Sequence, residues 1–215
     1  MSPFRVALTF DAEHPDRPAA PDNADRLLDL LDAEGIRATV FIQGRWAEAH
    51  PRTARRYAEA GHLIGSHSYY HARLPLLSDA GIAADLRDAE AAILVHAGVD
   101  PKPWFRCPFG AGAGDSRVVA AIERLGYRDV HWNVTSQDWE PHLTAADVAR
   151  IVVDVATMRG DGAVVLQHTW PDQTLEATPE IAARLRDLGA TFVTVDELPT
   201  LPVPSGDGPR AEPRT

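Results

Sequence analysis

The sequence predicts an α/β fold with a mainly parallel sheet that closes in a barrel-like manner. Short apolar, β-rich runs alternate with longer amphipathic stretches throughout the 215-residue chain. Glycine follows most of the amphipathic stretches, where helices commonly end. About seven such units in about 200 residues suit barrel-like closure better than an open sheet.

Seven short runs rich in apolar and β-branched residues predict the strands. They are Arg5–Phe10, Thr39–Ile42, His62–Ser66, Trp104–Arg106, Tyr127–Trp132, Ala163–Gln167 and Thr191–Val195. Their order along the chain, with a helical stretch after most of them, is typical of parallel strands joined by helical crossovers.

Amphipathic stretches between the strands predict the helices. In ADRLLDLLDAE the leucines share one face, and aspartates occupy the others. The predicted helices are Ala24–Glu34, Trp46–Ala60, Asp79–Ala97, Ser116–Leu125, Ala145–Met158 and Pro179–Leu188. Residues 1–198 are therefore interpreted as one domain. Residues 199–215 are rich in proline and glycine and predict a disordered tail.

Composition excludes several classes of function. The formal net charge of −10 argues against a non-specific nucleic-acid binder and against attraction to anionic membranes. Cys107 is the single cysteine, so no internal disulfide can form. The opening MSPFRVALTFDAE lacks the features of a signal peptide, and no apolar run is long enough to span a bilayer. These features predict a cytoplasmic protein without membrane insertion, and they leave its oligomeric state open.

Polar residues occur at or after the ends of five predicted strands. Asp11, His67, Arg106 and His168 lie at or directly after strand ends, and Asp138 lies in the loop after the fifth strand. In parallel α/β folds reactive groups sit at the carboxyl ends of strands. The five side chains are therefore expected to converge on one face of the sheet.

The motif GSHSYYH places His67 and His71 four residues apart, directly after a strand. On a helical turn this spacing brings both imidazoles to one face, about 6 Å apart, where one divalent cation can bridge them. Two surface histidines in a loop are the alternative interpretation. The pattern gains weight from its position at a strand end.

The stretch LTFDAEHPD delivers several ionisable groups to one loop. Two neutral histidines need an anionic partner to hold a divalent metal well. Asp11, Glu13 and Asp16 are chemically able to be that partner, and His14 is a further candidate. A solvated acidic loop would not explain why Asp11 ends an apolar strand.

The stretch WFRCPFGAG combines a fixed positive charge with a tight turn. Arg106 can hold a carboxylate through two hydrogen bonds, and a backbone N–H near Phe109 could bind an oxyanion. A structural loop with a surface arginine is the alternative. Cys107 is interpreted as a small packing residue.

The stretches SQDWEP and VVLQHTWP contain Asp138, Trp139 and His168. A histidine that follows a buried strand is either a satisfied core residue or a catalytic acid or base. Asp138 could orient His168 and raise its pKa, which would make the imidazolium a competent acid near neutral pH.

Taken in order, TFDAEHP, HSYYH, RCPFG, QDW and LQH resemble the five motifs of the polysaccharide deacetylases, the NodB-homology domain or carbohydrate esterase family 4. The motifs span residues 9–168, and the strand–helix pattern extends the resemblance to about residue 198. The resemblance implies a distorted (β/α)-barrel of about seven units, of the NodB/glycoside hydrolase-deacetylase type. It also implies one divalent metal ion, zinc in the first place, with Co²⁺, Mn²⁺ or Ni²⁺ as alternatives.

The resemblance assigns roles to matching residues. Asp11 matches the general base, and Arg106 matches the arginine that positions it. His67 and His71 match two metal ligands. The first motif departs from the family pattern. The second Asp of that pattern is the third metal ligand, and Ala12 stands at its position here.

The remaining motifs correspond to residues that surround the acyl group of the substrate in the family. Phe109 stands where tyrosine is common, and its backbone N–H corresponds to an oxyanion donor. Asp138 and Trp139 match the carboxylate that positions the acid and an aromatic pocket wall. Leu166 and His168 match the last motif, with His168 as the general acid.

Glu13 is the nearest carboxylate to the missing ligand position, and it is predicted to bind the metal in an Asp-x-Glu arrangement. Asp16 and then His14 remain the alternative third ligands. A second departure is Thr135, which stands three residues before Asp138 where the family often has Asp. This departure weakens inference about the substrate rather than about the fold.

The implied function is metal-dependent removal of an N-acyl group, N-acetyl in the first instance, from an amino sugar, oligosaccharide or polysaccharide by hydrolysis of a linear C–N amide bond. The expected partner is such an N-acylated substrate and not a nucleic acid. One alternative is a hydrolase of a cyclic amide or ureide on the same barrel. Another is a non-catalytic carbohydrate-binding relic that lost its metal with the change to Ala12.

Overall fold

The computed structural model describes residues 3–14 and 22–203. Within these residues, eight strands form one sheet and seven helices flank it. The strands are β1 (Phe4–Ala12), β2 (Thr39–Ile42), β3 (Leu63–Ser66), β4 (Trp104–Phe105), β5 (Arg128–Asp129), β6 (Val134–Thr135), β7 (Ala163–His168) and β8 (Ala190–Phe192). The helices are α1 (Asn23–Ala33), α2 (Gly44–Ala49), α3 (Pro51–Glu59), α4 (Asp79–His96), α5 (Ser116–Glu123), α6 (Ala145–Arg159) and α7 (Asp172–Asp187).

The strand order is β5-β4-β3-β2-β1-β7-β6, and every pairing is parallel, as predicted. Strand β8 pairs with the first residues of β1, while β2 pairs with its last residues. The long strand β1 therefore has neighbours along its whole length. The sheet curls into a half-barrel with helices on its outer side.

The predicted strand Tyr127–Trp132 forms only in part, as β5. A strand that was not predicted, β6, follows it and lies on the opposite edge of the sheet. The residues between them cross from one edge to the other: Val130 donates its N–H to Phe105 O, and Asn133 donates its N–H to Val164 O. The backbone between β5 and β6 thus passes from one edge of the sheet to the other.

Two predicted helices also have different bounds. The predicted helix Trp46–Ala60 is divided at His50 into α2 and α3, because Pro51 lacks an N–H and suits the first turn of a new helix. Helix α7 begins at Asp172 and contains Pro179, whereas the predicted helix began at Pro179. The apolar residues on both sides of Pro179 are buried in one core, so tertiary packing outweighs the local cost of proline.

The sheet buries both of its faces, which explains the near-continuous apolar strands. Val6, Leu8, Phe10 and Ala12 of β1 belong to the large core between sheet and helices. Ala7 instead belongs to a second core inside the half-barrel. This alternation fixes which residues of β1 reach the interior.

Two expectations fall partly outside the described residues. The predicted tail begins at residue 199, but residues 204–215 are not described, so the domain boundary stays a prediction. Within the described ranges, no helix has the length and apolar character needed to cross a bilayer.

Candidate active site

The predicted strand-end residues meet at the carboxyl edge of the half-barrel. Asp11 and His168 are register partners on β1 and β7. His67 directly follows β3, and Arg106 directly follows β4, which neighbours β3. All four side chains are buried. Because parallel strands bring their carboxyl ends to the same edge, the sequence positions become one site.

The two-residue period of β1 separates Asp11 from Ala12. Asp11 shares the inward face of Ala7, whereas Ala12 is fully buried in the core beneath the helices. The chain ends its strand at Ala12, and Glu13 returns to the side of Asp11. The carboxylate that reaches the histidines is therefore that of Glu13.

Glu13, His67 and His71 form a compact and buried group. Glu13 Oε2 lies 2.5 Å from His71 Nε2 and 3.3 Å from His67 Nε2. The two imidazole Nε2 atoms are 3.1 Å apart. Each residue thus turns one potential ligand atom toward a common point, as a metal site requires.

The His67–His71 segment differs from the expected helical turn. Ser68 and His71 both have left-handed backbone, with φ of 66° and 59°. The Ser68 hydroxyl accepts the His71 N–H, and the Asp85 carboxylate of α4 accepts the backbone N–H groups of Tyr69 and Tyr70. A loop held by Asp85 therefore achieves the juxtaposition that the four-residue spacing predicted.

The tautomer of His67 is set by its surroundings. His67 Nδ1 lies 3.0 Å from the carbonyl oxygen of Arg106, so Nδ1 carries the proton and donates it there. The Nε2 atom then presents a lone pair toward Glu13. Backbone acceptors of this kind orient histidine ligands in metal sites.

Asp11 and Arg106 form a buried ion pair. Arg106 Nη1 donates to Asp11 Oδ1 over 2.8 Å, and Arg106 Nε donates to the Val130 carbonyl over 3.1 Å. The guanidinium also stacks on the Phe41 ring at 4.1 Å. The other carboxylate oxygen of Asp11 lies 3.5 Å from His67 Nε2 and faces the Glu13–His67–His71 group.

Asp138 and His168 form a second pair on the other side of Glu13. Asp138 Oδ1 lies 2.8 Å from His168 Nδ1, and Oδ2 accepts the His168 N–H and the Thr174 hydroxyl. The carboxylate is fully buried and held from three directions. His168 Nε2 points back toward Glu13, 3.8 Å from its Oε1.

Aromatic rings surround these pairs. Trp139 meets His168 edge-on at 5.4 Å, and the Phe109 ring meets His71 at 4.3 Å. Phe109 has left-handed backbone and lies in a 3-10 turn at Pro108–Gly110, where first-turn N–H groups lack partners within the helix. Leu166 lies deeper, in the core inside the half-barrel.

The second oxygen of Glu13 is also engaged. Oε1 lies 3.0 Å from His14 Nε2, and Trp170 Nε1 donates to it over 3.4 Å. Gln43 accepts the His14 N–H and donates its own N–H to the Ala12 carbonyl. His14 thus contacts Glu13 rather than completing the three-residue group, and Asp16 lies outside the described residues.

Electrostatics favour a negative Glu13. Burial opposes its charge, but His71, His14 and His67 outweigh this effect and hold the pKa of Glu13 well below its usual range. Burial also lowers the pKa of His71. For His67 burial acts in the same direction, yet Asp11 and Glu13 outweigh it and raise the pKa.

Sequence reasoning missed two residues that position the site, Asp85 and Gln43. Both are polar residues at buried positions, Asp85 on a helix and Gln43 just after β2. A buried Asp within the predicted helix Asp79–Ala97 was the available signal, because helices rarely bury an acid without a partner.

The fold and the site together define an α/β half-barrel protein with a buried Glu–His–His group that could hold a metal ion and with further ionisable side chains at its strand ends. Residues 1–130 match the family model of polysaccharide deacetylases. The chain belongs to the polysaccharide deacetylase family, which confirms the resemblance read from the motifs.

Similar proteins include a peptidoglycan-N-acetylglucosamine deacetylase, PgdA, of Listeria monocytogenes. It is 32% identical over 194 residues, which are 90% of this chain but 38% of that protein. The chain therefore spans well under half the length of this curated relative.

Among solved structures, a family 4 carbohydrate esterase from Streptomyces lividans in complex with acetate is 32% identical, with a TM-score of 0.75 over 88% of this chain and 91% of that chain. A mutant of a CE4-family pseudoenzyme with restored enzymatic activity is 26% identical, with a TM-score of 0.80 over 91% of this chain and 67% of that chain.

Proposed function

We propose that this chain is a metal-dependent hydrolase that removes an N-acyl group, N-acetyl in the first instance, from an amino sugar, an oligosaccharide or a polysaccharide. One observation carries the proposal: three sets of groups with complementary chemistry share one buried space. These sets are the Asp11–Arg106 pair, the Glu13–His67–His71 group and the Asp138–His168 pair.

The donor set fits a divalent cation. Because His67 donates from Nδ1, its Nε2 turns a lone pair toward Glu13 Oε2, an anionic oxygen. His71 Nε2 lies within 3.1 Å of both atoms. Such close approach of electron-rich atoms is stabilised by a cation or by protons held between them. Two imidazoles with one carboxylate suit Zn²⁺, with Co²⁺, Mn²⁺ or Ni²⁺ as alternatives.

Such a cation, when bound, supplies Lewis-acid polarisation of an acyl oxygen and lowers the pKa of a water. Asp11 is placed to take the proton of the attacking water. Its Oδ1 is held by Arg106, while its Oδ2 faces the ligand group. The arginine keeps the carboxylate in place, as a general base requires.

His168 is placed to protonate the leaving nitrogen. Amide nitrogen leaves poorly unless it gains a proton, so the reaction needs an acid as much as a base. Asp138 holds Nδ1 and the backbone N–H of His168, which directs Nε2 into the site.

The remaining predicted residues shape the space for the acyl group. The Phe109 N–H is proposed as an oxyanion donor beside His71. Trp139 is proposed as a wall of the pocket next to His168. Leu166 packs in the barrel core and is proposed to close the pocket from below.

Acetate release tests this function. Zinc-loaded protein is incubated with N-acetylglucosamine oligomers and with peptidoglycan fragments, and acetate and free amine are measured together. We expect equal amounts of both products. His168→Ala should lower kcat by about 100-fold or more, since general acid catalysis contributes about 10² to 10⁴.

His142→Ala is the matched control, because that imidazole is largely exposed. Full turnover by His168→Ala would contradict the assignment of the acid. Hydrolysis of cyclic imides without release of acetate from any N-acetyl sugar would favour the alternative function, hydrolysis of a cyclic amide or ureide. Sugar binding without turnover on either substrate class, in fully metal-loaded protein, would favour a binding protein.

A further inference from the structure

Arg73 lies at the edge of the site and is not used by the reaction described above. It follows the metal-ligand candidate His71 by two residues. Its guanidinium stacks on the Phe109 ring, with Cζ 4.1 Å from the ring centroid. The same ring contacts the His71 imidazole at 4.3 Å. One aromatic ring therefore separates the positive charge of Arg73 from the Glu13–His67–His71 group.

The charge of Arg73 has no anionic partner within the described residues. Several other arginines of this acidic chain pair with carboxylates, as Arg56 does with Asp25 and Asp29. Arg73 makes no ion pair and no side-chain hydrogen bond with residues 3–14 and 22–203, and its guanidinium stacks on the Phe109 ring. A cation that remains unpaired beside a site, in a chain of net charge −10, is available to a ligand.

The local structure holds Arg73 in place. It directly precedes the 3-10 turn Leu74–Leu76, in which Leu74 is fully buried. His71 on its other side is buried as well. A guanidinium stacked on an aromatic face keeps its N–H groups in the plane and directed outward, where they can bind a carboxylate or phosphate through two parallel hydrogen bonds.

We propose that Arg73 binds an anionic group of the substrate, so that the preferred substrate is an N-acylated amino sugar bearing a carboxylate or a phosphate. This inference rests on the proposed deacylase function and narrows its substrate class. Arg73 acts as a specificity-determining residue. The acyl group occupies the space beside Phe109, and the anionic substituent reaches the guanidinium beyond that ring.

The test compares three substrates that share the N-acetyl sugar: N-acetylglucosamine, N-acetylmuramic acid and N-acetylglucosamine 6-phosphate. Deacetylation kinetics are measured for wild type, Arg73→Gln and Arg73→Lys. We expect Arg73→Gln to lower kcat/KM by about tenfold or more for a charged substrate, through KM, and to leave the neutral sugar unchanged. Arg73→Lys should retain part of the preference, because it keeps the charge but loses the fork geometry.

Whichever charged sugar shows the effect identifies carboxylate or phosphate as the recognised group. Arg87→Gln, an exposed change on α4, is the matched control. Equal losses on neutral and charged sugars would show that Arg73 merely supports Phe109, and an unchanged kcat/KM for all three would also overturn the inference.

Calorimetric binding of the same sugars to the zinc-loaded His168→Ala variant, with and without Arg73→Gln, separates this inference from the proposed function. A selective loss of affinity for a charged sugar supports the anion site even if wild type releases no acetate. The absence of acetate release would contradict the deacylase function without contradicting the anion site. Equal affinities in both backgrounds would reject the anion site whatever the turnover.

Discussion

Arg106 donates a hydrogen bond to Asp11 over 2.8 Å, and the two side chains are almost completely buried inside the half-barrel. Because a buried ion pair is costly to break from one side, we expect Arg106→Gln to lower the free energy of unfolding by about 3 kcal/mol. It should also lower kcat by about 100-fold, since Asp11 would lose the group that positions it.

Urea unfolding and acetate release measure the two effects of Arg106→Gln. Arg124→Gln is the control, because that arginine pairs with Asp79 at an exposed surface where ion pairs contribute little. Unchanged turnover in Arg106→Gln would rule out its proposed role.

Asp85 positions the loop that carries His71. Its two oxygens accept the N–H groups of Tyr69 and Tyr70, next to two residues in left-handed conformation. Asp85→Ala should loosen this loop and weaken zinc affinity by about tenfold, a typical cost of losing an outer partner of a metal ligand. A competition titration with a zinc chelator measures the change. Asp88→Ala, an exposed change on the same helix, should bind zinc like wild type.

The motif resemblance aligns Ala12 with a metal-binding Asp, but its side chain packs beneath the helices. Ala12→Asp would bury an unpaired carboxylate, so we expect it to destabilise the fold by about 3 kcal/mol. Thermal unfolding tests this against Ala84→Asp, an exposed change on α4. Recovery of zinc binding by Ala12→Asp in a Glu13→Ala background would show that position 12 faces the metal instead.

Much of this site could be predicted because strand ends are visible in sequence. Apolar runs that stop at Asp11 and His168 imply convergence once the strands are taken as parallel, and the structure pairs these two residues directly. The prediction failed where pairing depends on distant partners. Tyr127–Trp132 was predicted as one strand, yet only Arg128–Asp129 pairs there, with β4, and the chain then reaches the opposite edge of the sheet, where Val134–Thr135 pairs with β7.

The local conformation of the loops that carry the candidate ligands could not be predicted from the sequence either. The spacing of His67 and His71 suits a helical turn, but backbone N–H groups that donate to the Asp85 carboxylate stabilise a loop with left-handed residues. Left-handed backbone at a histidine is not encoded by local propensity, because only surrounding contacts stabilise it. The sequence identified Glu13 as the carboxylate nearest to the expected ligand position. It did not predict the contacts of Glu13 with His14 and Trp170.

His131 provides a pH-dependent prediction. Burial, together with the nearby charge of Arg106, lowers the pKa of His131 to about 4 from an ordinary value near 6.5. Between these values the unfolded chain binds a proton that the native fold does not. Native stability should therefore fall as pH is lowered from about 7 to 4, by about 3 kcal/mol from this residue.

Urea unfolding at several pH values measures this contribution. His131→Asn should flatten the acid side of the stability profile, whereas His142→Asn, which changes a largely exposed imidazole, should leave it as in wild type. A profile of His131→Asn parallel to that of wild type would contradict the prediction.

The proposed function depends above all on Glu13 as the third ligand of a zinc site. Zinc stoichiometry and affinity, measured by metal analysis and chelator competition on purified wild type, Glu13→Ala and Glu59→Ala, test this most directly. Glu59 is an exposed carboxylate on α3 and serves as the control. We predict one bound zinc in wild type and Glu59→Ala, and an affinity at least about 100-fold weaker in Glu13→Ala. Full zinc occupancy with unchanged affinity in Glu13→Ala would contradict the assignment of Glu13 and transfer the ligand role to Asp16 or His14.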